Sequence, residues 1–289
     1  MLWSYESRRL GALDALSIDD LIQTVRDTRN FRFNGPHTLF LIRRVELNPG
    51  DKGYLQRYTV EPITSRVMQE LKVKLMNARQ EERLRVYETF ESVPQSRQIA
   101  GLAFEAIGQR RLQKQITLTL VPMDRELPTT RGKITQWKSQ FVQDLEPMST
   151  EGSGSVGTIP ANGRTHSIDF QPHGIFQFLK PRPEKVSSDI YYLPKSPNQV
   201  AFDSFIVNNG ALYIFQFTIA ASHPIKAGIM DFFKDQSLES ILRDKEWYFI
   251  FVIPPGGELV CSESSAEKMK WFWKKVKLFT AEMDPTNEG

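Results

Sequence analysis

The sequence predicts an α/β protein, and three stretches carry that prediction. Ala201 to Lys226, "AFDSFIVNNGALYIFQFTIAASHPIK", sets two apolar, β-prone runs on either side of Asn209-Gly210, a dipeptide favoured in two-residue hairpin turns. "EWYFIFVIPP" is apolar without alternation from Trp247 to Ile253, the pattern of a strand buried on both faces. "RQIAGLAFEAIGQRRLQ", from Arg97, instead spaces Ile99, Leu102, Ala103, Ala106 and Ile107 along one helical stripe. Helices interleaved with buried strands imply a sheet covered by helices.

Composition sets the outer limits. The 289 residues suffice for one large domain or two ordinary ones, and a 40% hydrophobic content with 11% aromatics is ample for a core. A formal charge of +3 is too small to name a nucleic-acid or membrane partner by itself. The lone Cys261 excludes an internal disulfide and a thiolate zinc cluster, which suits a reducing, intracellular compartment, nuclear or cytoplasmic. Any metal would therefore be held by oxygen. The opening "MLWSYESRRLGALDAL" lacks the apolar core of a signal peptide, and no later run is long enough to span a bilayer, so no membrane partner is expected.

Residues 1–95 read as a small helical, winged-helix-like unit. Ser17 is a candidate N-cap, followed by Asp19 and Asp20 in a first turn and by Leu21, Ile22 and Val25 on one face. "HTLFLIRRVEL" and "YLQRYTVEPI" flank the turn-rich "NPGDKG" as the arms of a hairpin. Thr64 then caps a helix carrying Val67, Met68, Leu71 and Leu75, and "ERLRVYETFESV" continues the helical pattern until Pro94. Such a unit serves either for packing or for direct contact with nucleic acid.

Residues 96–289 form the second expected domain. On its first helix, Glu105 borders the apolar stripe. "QITLTLVPM" reads as a strand, and the Pro-, Thr-, Gly- and Ser-rich segment near 124–165 reads as a flexible insertion. Within it "GSGSVG" matches the dinucleotide fingerprint only formally, because no strand precedes it and no helix follows. There is also no GxxxxGK phosphate loop.

A two-residue turn at Asn209-Gly210 would set Asn208 opposite Ala211, Val207 opposite Leu212, Phe205 opposite Ile214 and Asp203 opposite Gln216. Alternation then brings Thr218 to the face of Asp203 and Gln216, and sends Phe202, Phe215 and Phe217 to the other. A one-residue slip would undo the grouping. Burying Asp203 among apolar neighbours requires an offset: either a divalent cation with oxygen ligands or a hydrogen-bond network.

A helical Glu, a strand, an Asp on the next strand and a third strand ending polar-x-polar together resemble the PD-(D/E)XK nuclease superfamily. "GLAFEAIGQRRL", "YYLPKSPNQVAFDSF" and "LYIFQFTIAASHPIK" are similar, more narrowly, to the nuclease-like domains of Crinkler and retrotransposon-hot-spot effector-type proteins, with their D…QxT…H pattern. The resemblance spans roughly Arg97 to Pro254. It implies a restriction-endonuclease-like core and a metal-dependent nuclease or nuclease-derived DNA-binding effector domain, the alternative being an inactive interaction module. Mg²⁺ or Mn²⁺ would be held by Asp203, Gln216 and, through water, Glu105. Thr218 occupies the family's Lys position, so His223 or Lys226 would supply the missing positive charge. His223 is open to a second reading, a loop residue that positions the helix before Pro224. A P-loop ATPase, separate or lost, and a site of action in a host nucleus are further implications.

The C-terminal "SSAEKMKWFWKKVKLFTAEM" reads as one helix. Met269, Phe272, Val276 and Phe279 form its core stripe, and its lysines are left for solvent or a weak phosphate contact.

Overall fold

The structure, a computed structural model, describes residues 11–26, 39–44, 58–93, 96–126, 135–139, 165–178, 183, 185–195, 201–233, 238, 242–263 and 267–287. The chain divides into two compact units, residues 1–107 and 108–289. The division falls inside a helix whose start the sequence marks as the domain boundary.

In the first unit, helix α1 spans Ile18–Arg26, and hairpin strands β1, Phe40–Arg44, and β2, Tyr58–Pro62, pair antiparallel. Helices α2, Ser65–Asn77, and α3, Gln80–Phe90, follow. The caps are those the sequence encodes. Ser17 Oγ accepts from Asp20 N at 3.0 Å while Asp20 returns a carboxylate to Ser17 N, and Thr64 Oγ1 accepts from Val67 N at 3.2 Å. Val67, Leu71 and Leu75 are buried as their spacing requires. The "NPGDKG" turn lies outside the described residues.

Helix α4, Arg97–Leu112, differs from expectation. Every residue from Leu102 to Gln109 is buried, so it is not an amphipathic helix with one core stripe. Its run of Ala and Gly allows this, because small side chains let neighbours approach from several directions.

The second unit is built on an eight-stranded mixed sheet in the order β6-β3-β13-β11-β10-β9-β8-β7. Its strands are β3 Ile116–Pro122, β6 His166–Phe170, β7 Gly174–Phe178, β8 Ile190–Pro194, β9 Ser204–Asn208, β10 Ala211–Phe217, β11 Glu246–Ile253 and β13 Val276–Glu282. The three central strands β10, β11 and β13 run parallel. Trp247 to Ile253 are buried throughout, as the apolar run of β11 predicts for a strand with a neighbour on each side. One face carries an aromatic cluster in which Phe205, Phe232, Phe233 and Trp247 meet at ring separations of 4.7 to 5.9 Å. Helix α5, Gly228–Phe233, contributes two of those rings.

Three expectations are corrected here. Residues 264–283 do not form one helix: a 3-10 turn at Glu267–Met269 and the short helix α6, Lys270–Lys275, give way at Val276 to strand β13. Met269, Phe272, Val276 and Phe279 are indeed buried, but Val276 and Phe279 reach the core from a strand. "VKLFTA" is apolar on both faces, which suits a strand between β11 and β3, and its apolar positions coincide with a helical repeat. The insertion near 124–165 contains regular structure. Strands β4, Asp124–Glu126, and β5, Gln136–Lys138, form a small sheet with β12, Val260–Ser262. "GSGSVG" lies outside the described residues. Phe202 does not share a face with Phe215 and Phe217; it packs at 5.9 Å on Phe205 and 4.9 Å on Phe232, since β9 begins only at Ser204 and strict alternation stops there.

Candidate functional site

The hairpin forms in the expected register. Asn209 at φ 46° and Gly210 at φ 78° both adopt the left-handed conformation that a type I′ turn needs, and Asn208 pairs with Ala211, Val207 with Leu212 and Phe205 with Ile214. The pairing continues past the ladder. Asp203 N donates to Phe215 O at 2.9 Å, Gln216 Nε2 donates to Asp203 Oδ2 at 2.6 Å, and Phe217 N donates to the same oxygen at 2.8 Å. An acid at the entrance to β9 is thus joined to an amide at the exit of β10.

The location gives the pair its functional interest. Gln216 lies at the carboxyl end of β10, beside the parallel β11 and β13, and in α/β sheets ligands gather outside the carboxyl ends of parallel strands. Gln216 is only 8% exposed and Thr218 6%. Thr218 N donates to Val252 O at 3.0 Å, and its hydroxyl accepts from Ala220 N at 3.1 Å. That hydroxyl closes a local turn and takes no part in the Asp203–Gln216 bonds, so the expected trio is a pair with a neighbouring turn.

The segment after Thr218 is tied to β12. Val260 N donates to Ala221 O at 2.9 Å, and His223 N donates to Val260 O at 3.1 Å. This places the His223 ring 5.9 Å from that of Phe251, the register partner of Gln216 on β11, and therefore on the Gln216 side of the sheet. His223 Nδ1 is buried without a hydrogen bond of ordinary geometry among the described residues. Burial, and secondarily the Lys226 ammonium, lower the imidazole pKa below its ordinary value, while the Pro224 backbone pulls weakly the other way. Lys226 is exposed, two residues before α5 rather than on it.

Glu105 belongs to the unit 1–107, is 9% exposed, and has its carboxylate in an ion pair with the Lys72 ammonium. Gly108 and Gln109, both in the second unit, were not singled out from the sequence. A Cβ at Gly108 would lie 2.1 Å from the Phe217 ring, so only glycine permits this approach of α4 to β10. Gln109 is fully buried, with Nε2 3.5 Å from Asp203 O. A glycine inside an otherwise regular helix costs about 1 kcal/mol relative to alanine, and that apparent waste was the signal available for Gly108. Gln109 carries no signal of its own, because polar residues on a helix ordinarily face solvent.

Divalent cations of the Mg²⁺ class take oxygen ligands. Among the described residues, no three His, Cys, Asp or Glu side chains group closely enough to hold one. Asp203 Oδ2 already accepts two N–H groups, and Gln216 turns its amide nitrogen, the end that cannot ligate, toward the carboxylate. As arranged, the pair does not fit a resident Mg²⁺ or Mn²⁺. No protein-family model matches the chain, and neither a curated protein nor a solved structure shows significant similarity to it.

Proposed function

We propose that residues 108–289 form a nuclease-derived domain that binds nucleic acid, DNA foremost, on a restriction-endonuclease-like scaffold. The observation that supports this reading is the pair of half-buried Asp203 and buried Gln216 at the carboxyl end of three parallel strands, in the register that the sequence resemblance requires. His223 and the exposed Lys226 follow on the adjoining segment, where a cation suits a phosphate. Asp203 acts here as an internal acceptor that fixes the strand ends and not as a metal ligand. A nuclear or cytoplasmic site of action and a separate or lost P-loop ATPase belong to the same reading. No helix among the described residues is long and apolar enough to cross a membrane.

The test is a mobility shift of labelled duplex DNA in EDTA, with Lys226→Glu in parallel and a plasmid incubation in Mg²⁺ or Mn²⁺. Retarded DNA, a several-fold loss of affinity in the variant and an intact plasmid are the expected results. Plasmid cleavage that Asp203→Ala abolishes would replace the binding reading with metal-dependent phosphodiester hydrolysis. Failure to retard either DNA or RNA would leave a protein-interaction module.

A further inference from the structure

We propose that the open edge of the eight-stranded sheet at β7 pairs antiparallel with β7 of a second copy of this chain, about a two-fold axis at Phe176. That edge is separated from β10 by β9 and β8, and the inference does not rest on the nucleic-acid reading.

The outer side of an edge strand offers N–H and C=O groups to another chain, and proteins ordinarily guard it with charge, proline or a bulge. Among the described residues β6 and β7 end the sheet, and they differ. β6 reads His166-Ser167-Ile168-Asp169-Phe170, and its exposed Asp169 carboxylate accepts from the Thr117 hydroxyl at 2.5 Å. β7 reads Gly174-Ile175-Phe176-Gln177-Phe178, without a charge or a proline, and leaves Ile175 46% and Phe176 47% exposed. Lys195 N donates to Phe178 O at 2.8 Å, so Phe178 turns its backbone toward β8. By alternation within the strand Phe176 does the same, while Ile175 and Gln177 turn their N–H and C=O groups outward. These outward groups are symmetric about Phe176, which favours the strand's own copy as the occupant. An antiparallel copy centred there sets Ile175 opposite Gln177 of the second copy, a pair that exchanges both N–H···O bonds, and symmetry repeats it. Phe176 then faces its own counterpart at a non-hydrogen-bonded position, where side chains come closest and aromatic pairs are stabilising. The Phe176 ring lies 5.7 Å from that of Tyr192, which stacks at 4.6 Å on Phe205, so the aromatic cluster extends to the open edge and ends on a half-exposed ring. With no charge in the strand, the pairing brings no like charges together along it. Five residues a side fall well short of the ~20 to 30 of a standard interface, which makes the association weak and reversible.

The experiment is sedimentation of the full chain, without DNA or metal, from micromolar to near-millimolar concentration. The native protein should pass reversibly from monomer to dimer. Phe176→Lys sets like charges opposite each other and should weaken the dimer at least about tenfold, with the melting temperature of the dilute protein unchanged because the side chain is half exposed. Mild oxidation of Phe176→Cys should yield a disulfide-linked dimer, since directly opposed Cα atoms at such a position lie about 4.5 Å apart. Ile175→Cys, whose counterpart across the axis is Gln177, should not be linked. Cys261 is fully buried and does not compete. A native chain that stays monomeric at the highest concentration would overturn the proposal, even if it bound an extended apolar peptide at this edge. So would a dimer that Phe176→Lys leaves intact, or one that Phe176→Cys fails to link. Should Phe176→Lys not fold, the native concentration series and the two cysteine variants decide the matter. DNA retardation is read separately, so its failure does not bear on this one.

Discussion

The two ends of the β9–β10 hairpin are fastened by different physics. At the turn end, Asn209 and Gly210 are exposed, and a Cβ added at Gly210 would meet nothing within 4 Å. Register there comes from backbone conformation alone, from two residues that tolerate positive φ. At the open end, hydrogen bonds from Gln216 and Phe217 to Asp203 hold the strands together, with Gly108 of α4 packed directly against the Phe217 ring. One end is set by local conformational preference and the other by tertiary packing. The first should therefore be cheap to alter and the second costly.

Gly108→Val gives the largest expected effect. Its Cβ would overlap the Phe217 ring, which is buried and must shift to admit it. Overpacking of this kind costs about 3 kcal/mol, read as a lowered denaturant midpoint at unchanged slope. A midpoint within error of the native value would show that α4 does not sit against β10 as described.

Next comes Asp203→Ala, which leaves the Gln216 amide and the Phe217 N–H without their shared acceptor. Stranding buried donors costs about 2 kcal/mol. Gly210→Ala, at the opposite end, should cost only about 1 kcal/mol, the conformational penalty of an L-residue in the left-handed region. Asn209→Gly should be nearly silent. If Gly210→Ala were to cost more than Asp203→Ala, the hairpin would be held chiefly by its turn, and the contrast between its ends would be reversed.

The same contrast explains what the sequence could disclose. The turn dipeptide fixes pairing by local rules, so the meeting of Asp203 with Gln216 followed from counting outward from Asn209-Gly210. The apolar run of β11 needed no partner to be recognised, and the caps at Ser17 and Thr64 are local as well. What escaped depends on distant neighbours. "VKLFTA" becomes a strand because β11 and β3 flank it, and its helical spacing was a coincidence that only the sheet order resolves. The direction of Phe202 depends on where β9 begins, and the place of Gly108 on which helix lies over β10. Thr218 looked like a member of the polar face because alternation was extended one residue beyond the strand. Its hydroxyl instead closes a turn to Ala220.

The smallest expected effect concerns His223, beyond the open end. Its folded pKa lies below the ordinary 6.5, because burial and the nearby Lys226 disfavour the imidazolium. The unfolded chain then binds more protons than the folded one just below pH 6.5, so stability falls as pH drops. The contribution of His223 is complete above about pH 6.5, the unfolded value, and is lost as pH falls through its lower folded value. His166, whose pKa burial also lowers, acts in the same direction and remains in any His223 variant. His223→Gln should therefore flatten the decline of the denaturant midpoint between pH 7 and pH 5 in part, without abolishing it. A decline of unchanged steepness would mean that the ring exchanges protons freely with solvent and does not lie against Phe251. A steeper one would mean that the ring gains a partner when charged, as a phosphate-binding imidazolium does, and DNA binding should then strengthen toward acid pH.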